Sequence, residues 1–139
     1  MSGMTLQDAK GPEGIRLYAI GDVHGRLDLL QDMHGLIRAD LDHNPAHDWR
    51  IIHLGDYIDR GPDSKGVLDF LIHASTHDPR ILALIGNHDD GFLHYLATGD
   101  TNGIFALHGG SDTARSYGVE VDYTDPASAK AAYPQLRNA

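Results

Sequence analysis

Cysteine is absent from the chain. Disulfides, thiolate metal sites and a cysteine nucleophile are thereby excluded, so any metal must be held by nitrogen and oxygen donors. Basic residues are scarce as well, 11 against 20 acidic ones, for a formal net charge of -9. With no basic stripe to neutralise a phosphate backbone, nucleic acid is not expected as a partner, and a protein or small molecule is. No segment approaches the ~18 consecutive apolar residues of a membrane span, and the opening MSGMTLQDAKGPEG has no apolar core of signal-peptide length. No membrane association and a cytoplasmic location are therefore expected. Loops of the GxGxxG and GxxxxGK[ST] types are also missing, which argues against a nucleotide-binding module.

What remains is a chain of 139 residues, 41% of them apolar, which suits one domain with a real core. Ten histidines and 20 carboxylates make a hard-to-borderline metal site chemically available. His34, His43, His47, His73 and His77 lie in helical or loop contexts without a matched partner and are expected to ligate nothing.

Three short runs rich in Ile and Leu, residues 17–20, 51–54 and 81–85, read as buried strands. Each is followed at once by a glycine-containing polar cluster and then by a segment of helical spacing. In the first such segment Leu29, Leu30, Met33, Leu36, Ile37 and Leu41 form a core stripe, with Asp28 placed to cap the helix start. In the second, Ser64 is the expected cap for a helix carrying Val67, Leu68, Leu71 and Ile72. The third presents Phe92, Leu93 and Leu96 and stops at Gly99. Strands joined by helical crossovers pair in parallel, so their carboxyl ends, and all three polar clusters, fall along one sheet edge. Residues 104–107 read as a further strand and Gly109-Gly110 as a turn. The division expected is a flexible N-terminus over 1–14, a domain over 15–121, and a tail over 122–139 that is a short helix or disordered.

The clusters carry chemistry. In Gly21-Asp22-Val23-His24-Gly25, Asp22 and His24 are two apart, so in an extended stretch one metal can take both side chains. In Gly55-Asp56-Tyr57-Ile58-Asp59-Arg60-Gly61, one loop offers a metal-facing carboxylate (Asp56), a second carboxylate able to orient a histidine (Asp59), and a forked guanidinium for phosphate (Arg60). In Gly86-Asn87-His88-Asp89, the amide oxygen of Asn87 can ligate a metal while His88 stays free to move protons.

GDVHG, GDYIDRG and GNHD, in this order and at even intervals, resemble the signature of the phosphoprotein phosphatase family of metallophosphoesterases. The type they resemble is that of bacterial serine/threonine protein phosphatases and diadenosine tetraphosphatases. The resemblance covers residues 16–118, and GGSDTARSYG from Gly109 to Gly118 is similar to a GG-x-x-T-x-x-SYG stretch of bacterial members. It implies an α/β fold, a calcineurin-like sandwich of mixed sheets flanked by helices, of which this chain holds the first βαβαβ half. It implies two divalent metal ions, manganese first, with iron or zinc as the alternatives. Asp22 and His24 would bind the first ion, Asp56 would bridge both and Asn87 would bind the second. His88 would be the general acid, oriented by Asp59, and Arg60 would hold the phosphate oxygens. The implied reaction is phosphoester hydrolysis by a hydroxide activated between the metals, without a phosphoenzyme. The substrate would be a phosphorylated protein or a small phosphoester or nucleotide such as a dinucleoside polyphosphate.

Two departures from the family pattern bear on these expectations. The family adds histidines in HAG-like and later Gly-His contexts, and neither occurs here; beyond Asn87 the chain has only His88, His94 and His108. The second metal is left with Asp56 and Asn87, so its site is expected to be weak. Strands that would complete a second sheet are missing, so an apolar face is expected to be exposed, covered by the tail, or buried in a homodimer. A catalytically incomplete metal-binding fragment therefore stands beside the hydrolase as a second reading.

Overall fold

The computed structural model describes residues 10–139, so residues 1–9 of the expected flexible N-terminus lie outside the described residues. Elements run in the order β1 (Ile15–Ile20), α1 (Leu27–His43), β2 (Asp48–His53), α2 (Ser64–His77), β3 (Ile81–Ala83), α3 (Asn87–Thr98), α4 (Ile104–Leu107), α5 (Gly110–Ser116) and α6 (Pro126–Asn138). The strands make one parallel sheet in the order β1-β2-β3, flanked by helices, as the first part of the expected α/β sandwich requires.

Register is what builds the site. Ile20 pairs with His53 and His53 with Ala83, so the three strands end level with one another. Loops 21–26, 54–63 and 84–86 consequently leave the same edge. Helices α1 and α2 lie over the sheet face that carries Trp49, Ile51 and Ile81, and with it they enclose a cavity of about 470 Å³. On α1, His34 reaches the fully buried His53 (Nε2 to Nε2, 2.9 Å), whose other nitrogen meets the Leu82 carbonyl at 3.0 Å.

A second layer of core forms where α2 to α6 meet the β2–α2 loop. Ile58, Val67, Tyr95, Phe105, Ala114 and Leu136 are buried together there, at roughly 1.5 to 3 kcal/mol for each large apolar side chain. Tyr133 of α6 donates to the Leu96 carbonyl (3.0 Å), which ties residues beyond 122 to α3.

Several local expectations are corrected. Asp28 does not cap α1: the cap position is Arg26, and Asp28 lies inside the first turn, paired with that arginine. Asp63, not Ser64, caps α2 by accepting the Gly66 N–H at 2.8 Å, because the Ser64 hydroxyl is drawn inward to other partners. Residues 104–107 form helix α4 rather than a strand, with Phe105 packed in the aromatic cluster with Tyr95 and Phe92. Gly109 is not part of a simple turn but the left-handed cap that opens α5. On α1 only Leu30 and Ile37 of the predicted stripe are fully buried, while Leu29, Met33 and Leu36 are exposed. Leu17 and Leu82 are likewise exposed, on the sheet face opposite α1 and α2.

Candidate metal centre

The three polar loops interlock through backbone contacts, and their glycines make this sterically feasible. A Cβ on Gly25 would lie 2.9 Å from the Gly61 carbonyl, and one on Gly55 would overlap the backbone of Gly86. The resulting closeness is used by hydrogen bonds: Val23 N and His24 N both donate to the Asp56 carbonyl (3.0 and 2.9 Å), and Gly25 N donates to that of Tyr57 (2.8 Å). Asp89 completes the lock. Its carboxylate accepts from the backbone N–H groups of Asp56 (2.8 Å), Tyr57 (3.0 Å) and Gly86 (2.9 Å), clamping the start of α3 to the β2–α2 loop.

The backbone is strained where the chemistry was expected. Among the described residues four non-glycine positions have left-handed φ: His24 at 44°, Asp56 at 56°, Asp59 at 69° and Arg60 at 69°. Each such residue costs of order 1 to 3 kcal/mol and persists only where its surroundings over-determine it. All four are residues the sequence singled out for metal, proton or phosphate, so strain marks the same loops independently of any motif.

Side chains of these loops converge. His24, Asp56 and His88 each offer a ligand atom, and the three atoms lie within 4.8 Å of one another. His24 Nδ1–H donates to the Ile58 carbonyl (2.7 Å) and His88 Nδ1–H to Asp59 Oδ2 (2.7 Å), which turns both Nε2 lone pairs toward the centre. A guanidinium can only donate, and Arg60 spans the two, with Nη1 3.3 Å from His24 Nε2 and Nη2 3.3 Å from His88 Nε2. A positive charge already rests on those lone pairs. The donor set of imidazole nitrogens and a carboxylate therefore suits a borderline divalent cation, and its tautomers are preset for one.

Electrostatics divides the carboxylates into two kinds. Asp59 is fully buried, and burial pushes its pKa up, against the lowering effect of hydrogen bonds from Thr113 and His88. Asp22 is open to solvent, with Oδ2 3.8 Å from His24 Nε2. Behind the loops, burial first and the charge of Asp89 second push the Tyr57 hydroxyl up to about 12, so it stays a donor to the Leu84 carbonyl at 2.5 Å.

Of the residues predicted, His24, Asp56, Asp59, Arg60 and His88 form one contiguous constellation. Asp22 sits at its open rim. Asn87 is exposed at the first position of α3, and among the described residues no hydrogen bond holds its side chain. Asp89, Ser64 and Thr113 were missed as parts of the site. Asp89 was legible in principle, because a carboxylate three residues into a helix that starts at glycine fits a capping signal. For Thr113 the signal was the GG-x-x-T-x-x-SYG similarity, which gave it no partner, and for Ser64 it pointed to a helix cap; their actual partners are distant in sequence.

A family model described as calcineurin-like phosphoesterase matches residues 15–133. A symmetrical bis(5'-nucleosyl)-tetraphosphatase of Yersinia enterocolitica is 41% identical over 80 residues, 58% of this chain and 24% of that protein. One of the same name from Legionella pneumophila (strain Corby) is 44% identical over 81 residues, 57% of this chain and 25% of that one. Serine/threonine-protein phosphatase 2 of Escherichia coli is 37% identical over 90 residues, 62% of this chain and 35% of that one. The chain thus spans about a quarter to a third of the length of these curated relatives.

Proposed function

We propose, from the premise that the chain belongs to the calcineurin-like phosphoesterase family, that its site hydrolyses phosphate esters with divalent metal bound at His24 and Asp56. Asp22 is the third ligand from its rim position, and Asn87 joins Asp56 at a second, weaker position. Manganese is the first choice of ion and iron or zinc the alternatives, because mixed imidazole, carboxylate and amide ligation accepts all three. The observation that carries this reading is the convergence of His24, Asp56 and His88 within 4.8 Å while His88 leans on a buried carboxylate.

Metal bound there supplies Lewis acidity and a water of lowered pKa for in-line attack. The chain's own residues do the rest. Arg60, freed from the two imidazoles, turns its fork to the phosphate oxygens, for which its planar donors are shaped. His88, protonated at Nε2, delivers that proton to the leaving oxygen. Asp59, 2.7 Å from Nδ1, keeps the ring oriented and stabilises its charged form.

For substrate we take a phosphoserine or phosphothreonine monoester first, in the cytoplasm. The tetraphosphatase relatives favour a second reading, a dinucleoside polyphosphate. The shortage of histidines beyond Asn87, only His88, His94 and His108, favours a third, a metal-binding fragment without turnover. An aryl phosphate assay with added manganese separates hydrolase from fragment: metal-dependent turnover abolished by Asp56→Asn is expected, and no turnover at any metal concentration rejects the hydrolase. Competition between a phosphopeptide and diadenosine tetraphosphate then ranks the substrates.

A further inference from the structure

Asp59 owes its placement to more than His88. Its carboxylate is 0% exposed and takes two donors at opposite oxygens: His88 Nδ1–H on Oδ2 and the Thr113 hydroxyl on Oδ1, each at 2.7 Å. The same hydroxyl oxygen accepts the backbone N–H of Asp59 at 2.9 Å. Since the one proton of Thr113 goes to the carboxylate, the 3.0 Å contact between Thr113 Oγ1 and Ser64 Oγ has serine as donor. Ser64 Oγ also takes the Asp59 N–H, at 3.1 Å. Both hydroxyl residues are 0% exposed. A directed chain results, from Ser64 to Thr113 to Asp59, with His88 arriving from the other side.

The GGSDTARSYG segment is what delivers this hydroxyl. Thr113 lies on α5, 54 residues from Asp59 along the chain, and α5 can press against the strained Asp59-Arg60 pair only because Gly109 stands at its head. Gly109 has φ of +106°, and a Cβ there would lie 2.8 Å from the Arg60 nitrogen. A buried carboxylate with one donor could rotate about its last bond or lose its charge. Two donors on separate oxygens set its plane, and each charge-assisted bond favours the ionised form.

We propose that Thr113, backed by Ser64, is a positioning residue for the hydrolytic reaction: it holds the Asp59 carboxylate in the plane that keeps His88 in its Nδ1–H tautomer, with Nε2 facing the site. This rests on the assignment of His88 made above. The glycine pair and threonine of the later segment thereby join the three metal-loop motifs as parts of one device.

The test uses the full chain loaded with manganese, and the variants Thr113→Val, which keeps shape and removes the donor, and Thr113→Ser, which keeps the donor. For Thr113→Val, kcat is expected to fall ~10- to 100-fold with KM nearly unchanged, the range typical when a supporting hydrogen bond is lost. The fall is larger with phenyl phosphate than with p-nitrophenyl phosphate, because a poorer leaving group depends more on the proton His88 delivers. Thr113→Ser restores both rates. In the metal-free chain, the downfield Nδ1–H proton resonance of His88 is expected in wild type and Thr113→Ser and lost in Thr113→Val. A loss equal for the two substrates and not rescued by serine overturns the proposal, as does a valine variant that keeps turnover and resonance. If wild type itself shows no turnover, the hydrolase reading fails, and the resonance alone decides the role of Thr113. Should Thr113→Val not fold, Ser64→Ala takes its place with the same readouts and a smaller loss expected, and an unchanged Ser64→Ala protein overturns the proposal.

Discussion

Replacing Asp89 by alanine removes the clamp between the start of α3 and the β2–α2 loop, and the structure allows its cost to be sized. Three backbone donors lose their acceptor: Asp56 N at 2.8 Å, Gly86 N at 2.9 Å and Tyr57 N at 3.0 Å. A hydrogen bond to a charged group contributes about 1.5 to 3 kcal/mol, and partial burial argues for the lower end, so the three together come to about 4.5 kcal/mol. Against a total stability of about 5 to 15 kcal/mol this is a large share. At roughly 3 to 5 °C per kcal/mol for a domain of this length, the unfolding midpoint should fall by about 14 to 22 °C. Asp89→Asn should lie between, because its one oxygen can still serve Asp56 N and Gly86 N while its amide nitrogen confronts the Tyr57 N–H. The clamp also holds Asp56 at its left-handed φ of 56°, so manganese affinity should drop with stability. Circular dichroism melts at pH 7.5 and a metal titration by calorimetry check both. A midpoint for Asp89→Ala within ~2 °C of wild type, less than 1 kcal/mol, would falsify the idea that this carboxylate locks the loops.

Three further outcomes are expected. His88→Ala should keep its manganese, measured by elemental analysis, yet lose turnover by ~100- to 10,000-fold, the span typical of a general acid; loss of the metal would make His88 a ligand instead. Arg60→Ala should weaken inhibition by inorganic phosphate, and identical inhibition in the two proteins rejects Arg60 as the phosphate anchor. Acid should destabilise the fold through the pair beneath α1: burial first and the neighbouring His53 second hold His34 down to about 4 from 6.5, and burial lowers His53 as well. A depressed folded pKa means that the unfolded chain takes up these protons first, so the contribution is complete above pH 6.5 and is lost as pH falls toward about 4. His34→Gln, which can still donate to His53 without titrating, should flatten the fall in melting temperature over that window, and an unaltered slope excludes the pair as its cause.

The strands, their parallel order and the shared edge were legible because they rest on local patterns: short apolar runs, each followed by a glycine-bounded polar cluster and then a helical stripe. The residue types within those clusters carried the metal and proton chemistry for the same reason. Boundaries read less well wherever a side chain answered to a distant partner. Ser64 has the composition of a helix cap, yet its hydroxyl turns to Thr113 and leaves the cap to Asp63. Residues 104–107 are apolar enough for a strand, but the aromatic cluster of α3 claims Phe105 and the segment coils into a helix.

By itself the sequence determined the chemical inventory: nitrogen and oxygen donors in three ordered loops, an acidic surface, and no thiol. Tertiary structure alone decided which of those groups act together, since hydrogen-bond partners such as Asp59 with Thr113 are 54 residues apart and Asp56 with Asp89 are 33 apart. Contacts of that separation depend on strand register and helix packing, and no periodicity within a single segment encodes them.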